Sequence, residues 1–67
     1  MNRIGAVRRS QGRTQRWVAA QAGIDPADLC RIELHIRKPN DNVLARIAKA
    51  MDVTIETIWP DDTEETA

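Results

Sequence analysis

The stretch AQAGIDPADLCRIE, residues 20–33, most constrains how this chain can fold. An Ala-rich helical pattern ends at Gly23, and a second helical pattern begins at Pro26. Gly23 can adopt the left-handed conformation that ends a helix. Asp25 is a strong N-cap, and Pro26 follows it at the first helical position, where proline is favoured. The segment therefore predicts two helices joined by a tight corner.

The rest of the chain also has apolar residues at helical spacing, and no stretch shows the alternation that indicates a strand. Five short helices are predicted. They begin near Ile4, after the caps Thr14 and Asp25, after Asn40 or Asp41, and after Thr54. The apolar stripe of the third helix is expected to run from Leu29 and Ile32 to Ile36, and that of the fourth to comprise Leu44, Ile47, Ala48 and Met51. The predicted fold class is all-α, a compact five-helix bundle.

Length and composition limit the chain to one small domain. Residues 1–60 are predicted to form it, whereas the segment DDTEETA at residues 61–67 has four acids and is predicted to be a disordered tail. With one cysteine and one histidine, Cys30 and His35, a disulfide framework and a His/Cys metal site are excluded. No apolar stretch matches a signal peptide or a membrane span. We therefore expect a cytoplasmic protein with no metal, no cofactor and no contact with a membrane.

The charges are divided unevenly along the chain. Residues 1–38 have eight basic and three acidic side chains, net +5, whereas residues 39–67 have two basic and seven acidic ones, net −5. This asymmetry favours a polyanion as the partner of the first part. An ordinary solvated surface remains the alternative.

A Gly-containing corner between two helices is typical of the helix-turn-helix, whose second helix enters the DNA major groove. A plain αα-hairpin would show the same corner, but the wider pattern is more specific. From Ile4 to Trp59 the chain resembles the lambda-repressor-like family of DNA-binding domains, also called Xre/Cro. The resemblance rests on Arg8, Gly12, the TQ pair at 14–15, Ala19, Gly23, Leu29, Ile32, Glu33, Pro39, LARIAKAM and VTIETI.

The resemblance implies a homodimer that binds double-stranded DNA with the third helix in the major groove. The residues that it places against the bases are Pro26, Ala27, Asp28 and Arg31. Those expected to contact phosphate are Gln15, Arg13, Arg16, Arg37 and Lys38. Arg8 and Glu33 match an ion pair between the first helix and the end of the third. Because Glu33 lies beside the apolar stripe, its carboxylate requires a partner, unless it is simply an exposed surface acid.

Some positions depart from the family pattern. His35 replaces a glycine, and we expect it to adopt a positive φ, which histidine tolerates better than most residues. The third helix has few hydrogen-bonding side chains: Pro26 and Ala27 offer apolar contact to a thymine methyl, and Asp28 can accept from cytosine N4. Arg31 has the long donor fork that suits guanine.

Three further residues are expected to be structural. Trp17 should pack partly into the core, although its helical angle leaves a phosphate-side or solvent-facing position open. Trp59 should lie in the core or in a dimer interface. Cys30 should be a half-buried small apolar residue.

Two hypotheses about function follow. The first is a sequence-specific DNA-binding transcriptional regulator, a repressor that binds a two-fold operator as a homodimer. The alternative is an antitoxin or co-regulator whose main role is to bind a protein partner, which the sparse donors of the third helix favour. An enzyme is not expected, since the sequence has no Ser/His/Asp grouping, phosphate loop or metal-ligand set.

Overall fold

The structure is a computed structural model that describes residues 2–60, so the predicted disordered tail at 61–67 lies outside the described residues. Within residues 2–60 there are five helices and no strands. The helices are α1 (Ile4–Ser10), α2 (Gln15–Ala22), α3 (Pro26–Glu33), α4 (Asp41–Ala50) and α5 (Ile55–Ile58). The predicted all-α fold is confirmed. None of these helices is both long and apolar enough to span a bilayer.

Side-chain caps begin three of the helices where the sequence predicts them. Thr14, Asp25 and Asn40 each accept a hydrogen bond from a backbone N–H two or three residues later, at 2.8–3.0 Å. Thr54 precedes α5 as predicted, but its hydroxyl is paired with the hydroxyl of Thr57 at 2.9 Å and caps no backbone N–H.

Helices α1 to α4 are each followed, one or two residues after the last helical residue, by a residue with positive φ. That residue and the next donate backbone hydrogen bonds to carbonyls of the last helical turn, which is the Schellman arrangement. The four positive-φ residues are Gly12, Gly23, His35 and Asp52. His35, with φ of 64°, has the conformation predicted for it, whereas the left-handed conformation of Asp52 was not predicted.

The reversal at His35 places Ile36 outside α3, so its predicted membership of the apolar stripe was wrong. The backbone N–H of Ile36 bonds back to the carbonyl of Arg31 at 2.9 Å. Its side chain is 70% exposed. The helical spacing that suggested the stripe does not continue beyond a left-handed residue, because the chain changes direction there.

The core is built from one face of every helix. α2 packs against α3 and α4, and α5 packs against α4. The buried apolar residues are Ile4, Val18, Ala19, Ala22, Leu29, Ile32, Leu44, Ile47, Ala48, Met51 and Ile58. Trp59 is half-buried against this core, and Cys30 is half-buried, both as expected.

Hydrogen bonds from the first residues fix α1 to distant parts of the bundle. The Asn2 side-chain amide donates to the Ile32 carbonyl at the end of α3, and its oxygen accepts from the N–H of Ile4 at 2.8 Å. The N–H of Arg3 donates to the Ile58 carbonyl at 2.9 Å. The end of α3 is therefore held against the start of α1.

Candidate nucleic-acid interface

A corner of three residues, Gly23 to Asp25, turns the chain from α2 into α3. Gly23 has φ of +73°, and the N–H of Ile24 bonds back to the Ala19 carbonyl at 2.9 Å. Asp25 then caps α3, whose buried residues face the core. The corner thus sets α3 against α2 with its opposite face in solvent.

The four residues that the sequence places against the bases lie on this outward face of α3. Pro26, Ala27 and Arg31 are exposed, and Asp28 is partly exposed. Pro26 has no N–H, and the N–H of Ala27 is taken by the Asp25 cap at 2.9 Å. Polar recognition from this face therefore depends on the side chains of Asp28 and Arg31.

Asp28 is bonded to two arginines through one oxygen atom. Its Oδ1 accepts from Nη1 of Arg31 and from Nη1 of Arg37, each at 3.0 Å. Arg31 lies one turn further along α3, whereas Arg37 reaches back from the segment after α3. The two arginine side chains are 53% and 56% exposed. These three residues form the Asp28 cluster, which unites two predicted base-reading residues with a predicted phosphate contact.

The predicted phosphate contacts Arg13 and Arg16 lie at the start of α2. The Arg13 guanidinium carbon is 4.0 Å from the centroid of the Trp17 ring, a cation–π stack. Trp17 is 39% exposed, so the prediction that it packs partly into the core was wrong. The reason is that the buried face of the short helix α2 is filled by small residues, and Trp17 points away from that face.

Arg8 and Glu33 form a nearly buried ion pair, with side chains that are 12% and 7% exposed. Nε of Arg8 donates to Oε2 of Glu33 at 2.8 Å, and Nη2 donates to Oε1 at 3.2 Å. The third nitrogen, Nη1, donates to the Arg13 carbonyl at 2.9 Å. Nε2 of Gln15 also donates to Oε1 of Glu33, at 3.0 Å. The pair therefore joins α1, the start of α2 and the end of α3.

Gln15 thus has a structural partner in addition to the phosphate contact predicted for it. Its amide nitrogen has two N–H groups, and one of them is directed at Glu33. The other N–H makes no hydrogen bond within residues 2–60. Arg16 follows Gln15 in the chain and is exposed, and Arg37 and Lys38 are exposed in the segment after α3. Exposed basic residues are therefore found at the start of α2 and directly after α3.

Sequence reasoning missed the role of Gly5. A Cβ atom built on Gly5 would lie 3.1 Å from Oε1 of Glu33, so the missing side chain allows α1 to approach the ion pair closely. A glycine inside a helical pattern is itself a signal of close packing. The contact of Arg37 with Asp28 had no such signal, because the two residues are nine positions apart with a chain reversal between them.

Comparison with known proteins supports the resemblance. A family model described as helix-turn-helix matches residues 4–58. Among solved structures, a chain of the SinR protein–SinI protein complex is similar, with a TM-score of 0.79 and 27% sequence identity over 97% of this chain. The present chain spans 63% of the length of that chain. No match was found among curated proteins. Within residues 2–60, no group of His, Cys, Asp and Glu side chains could hold a metal ion.

Proposed function

The chain belongs to the lambda-repressor-like (Xre/Cro) family of helix-turn-helix DNA-binding transcriptional regulators, and we propose that it is a repressor that binds a two-fold operator as a homodimer. The observation that carries the proposal is the outward face of α3. That face has an exposed arginine, Arg31, and along the chain α3 is preceded by basic residues at the start of α2 and followed by two more after its end. In helix-turn-helix domains this second helix enters the major groove.

Each group of residues has a distinct role in this proposal. Arg31 donates two hydrogen bonds to guanine O6 and N7, the commonest specific contact to a base. Pro26 and Ala27 make apolar contact with the floor of the groove, where a thymine methyl is the matching group. Gln15 and the four flanking basic residues bind phosphates, which positions α3 without reading sequence. The flanking basic residues are Arg13, Arg16, Arg37 and Lys38.

Selection of bound fragments from random DNA, followed by a binding series over every base substitution in the selected site, tests these roles. Arg31→Ala should cost about 1–3 kcal/mol on the selected site and relax preference at one base pair in each half-site. Arg16→Ala should weaken binding to all sequences alike. Lys49→Ala, an exposed basic residue on α4, serves as the charge control. Equal loss from Arg31→Ala on all sequences would show that Arg31 contacts only phosphate.

The homodimer is tested by the spacing of the half-sites. A two-fold dimer of this fold places equivalent contacts about one helical turn of DNA apart, or about 10 base pairs. Footprinting on the selected site should therefore show two protected half-sites related by two-fold symmetry. A single asymmetric footprint with one protein bound would contradict the dimer.

A protein-binding role is the second candidate. Leu34 and Ile36, directly after α3, are 62% and 70% exposed, and contact with DNA phosphates would not stabilise such apolar side chains. The similar solved structure is itself a complex of two proteins, SinR with SinI. A salt titration on mixed-sequence DNA separates the two functions, because log K falls with log salt by about 0.9 for each phosphate neutralised. Absence of binding at low salt would favour a protein partner as the main ligand.

A further inference from the structure

In the structure the Arg31 side chain is hydrogen-bonded to Asp28 and is not extended freely into solvent. Oδ1 of Asp28 accepts one N–H from Arg31 and one from Arg37, both at 3.0 Å. An arginine has five N–H donors in a fixed fork. The contact with Asp28 therefore leaves enough donors on Arg31 for a bidentate contact with a guanine.

Two effects of this arrangement favour base contacts over phosphate contacts. A side chain that is already fixed loses less conformational freedom on binding, so its contact with a matching base is strengthened. The carboxylate beside Arg31 also repels a phosphate that approaches the same guanidinium. A guanine edge has no net charge, so the carboxylate does not repel it in this way. The cluster should therefore lower affinity for random DNA more than affinity for the correct site.

We propose that Asp28 is a positioning residue that sets sequence discrimination by holding Arg31 toward a base edge and by tying Arg37 to the same place. The proposal rests on the DNA-binding function proposed above and deepens it. It differs from the sequence-based expectation for Asp28, in which the carboxylate itself accepts from cytosine N4. Here Asp28 acts through Arg31.

The main test is Asp28→Asn, measured on the selected operator and on mixed-sequence DNA. Freed from the carboxylate, Arg31 and Arg37 can turn to any phosphate, so affinity for mixed-sequence DNA should rise severalfold. The ratio of operator to mixed-sequence affinity should fall severalfold, which is less than the loss expected when the bidentate base contact itself is removed. Asp28→Glu, which keeps the charge, should retain most of the ratio.

A double-variant cycle separates positioning from direct reading. If Asp28 acts through Arg31, then Asp28→Asn added to Arg31→Ala should change discrimination little, because the residue that it positions is already gone. Direct reading of a cytosine predicts instead that Asp28→Asn loses discrimination at one C·G pair and does so equally in the Arg31→Ala background. That second pattern would overturn the proposal.

The matched control is Asp41→Asn. Asp41 is an exposed acid in the first turn of α4, so its substitution changes the net charge and the helix terminus as Asp28→Asn does. It should leave the affinity ratio unchanged. Thermal unfolding should show that Asp28→Asn remains folded, since exposed ion pairs contribute little to stability. If that variant unfolds, Asp28→Ser, which keeps a polar side chain in the first turn, makes the same test.

The outcomes distinguish this proposal from the function on which it rests. Wild-type protein that binds no DNA at low salt would overturn the DNA-binding function and the role of Asp28 together. Wild-type protein that selects an operator, with an unchanged ratio in Asp28→Asn, would overturn only the role of Asp28. A fall in the ratio that disappears in the Arg31→Ala background supports it.

Discussion

Removal of Glu33 alone should destabilise the protein more than removal of the whole ion pair. Glu33 accepts two hydrogen bonds from Arg8 and one from Gln15, and its side chain is 7% exposed. In Glu33→Ala the Arg8 guanidinium would keep its bond to the Arg13 carbonyl but would lose its counter-charge. Substitution of both Arg8 and Glu33 by methionine removes the two charges together and keeps most of the volume.

The burial of the pair sets the size of the effect. Removal of one partner of a buried ion pair costs about 3–5 kcal/mol, whereas apolar replacement of both is often near neutral. Because the Arg8 side chain is 12% exposed, its burial is incomplete, and the lower end of that range applies. A domain of this size rarely has more than about 3–5 kcal/mol of total stability. At roughly 4–8 °C for each kcal/mol, a loss of about 3 kcal/mol lowers the Tm of Glu33→Ala by about 12–24 °C.

The stability of both variants is measured by thermal and urea unfolding, monitored by far-UV circular dichroism. The double methionine variant should unfold much closer to wild type than Glu33→Ala does. Glu56→Ala, which removes an exposed acid from the first turn of α5, controls for the change in net charge and should have a small effect. A double variant as unstable as Glu33→Ala would refute the reasoning, because the cost would then come from lost packing and not from a stranded charge.

The remaining predictions concern a turn, a surface stack and the acidic end of the chain. His35→Gly should stabilise the fold by roughly 1 kcal/mol, because glycine avoids the cost of left-handed geometry; a lower Tm would mean that the His35 ring makes a stabilising contact. Trp17→Ala removes the stack under Arg13, which contributes about 0.5–1 kcal/mol, so it should lower the Tm by a few degrees and weaken binding to all DNA sequences alike because Arg13 is less well positioned; a loss limited to the operator in equilibrium binding would contradict this. Deletion of residues 61–67 removes four acids and should strengthen binding to mixed-sequence DNA at low salt, since these charges repel phosphate; unchanged affinity would count against it.

The features that could be predicted from the sequence are those decided within one or two helical turns. Thr14, Asp25 and Asn40 cap their helices because the hydrogen bonds join each residue to a neighbour two or three positions away. The corner at Gly23 is equally local, as the glycine conformation and the next cap determine it. The pairing of Arg8 with Glu33 spans 25 positions and was expected from the family resemblance and from the need of a carboxylate near the core for a partner.

The features that could not be predicted depend on the path of the chain between helices. The positive φ of His35 was expected, but helical spacing alone still predicts Ile36 on the apolar stripe. The pattern does not show that a left-handed residue turns the chain away before Ile36 is reached. The contact of Arg37 with Asp28 requires that same reversal. Trp17 was misplaced for a different reason: a large apolar side chain is usually buried in so small a domain, yet an arginine stack can stabilise it at the surface.

The charges at the starts of α2 and α3 favour one orientation on DNA. A helix N-terminus carries partial positive charge and attracts phosphate. α3 begins with the Asp25 cap and has Asp28 in its first turn, so two carboxylates oppose a phosphate there. The first turn of α2 contains no acid, and Arg13 and Arg16 lie beside its start. The favourable orientation therefore places the DNA backbone at the start of α2, where phosphate is attracted, and the base edges at α3, where phosphate is repelled. On the proposed mode of binding, the same two acids should lower affinity for DNA in general and disfavour the approach in which Arg31 would meet the backbone instead of a base.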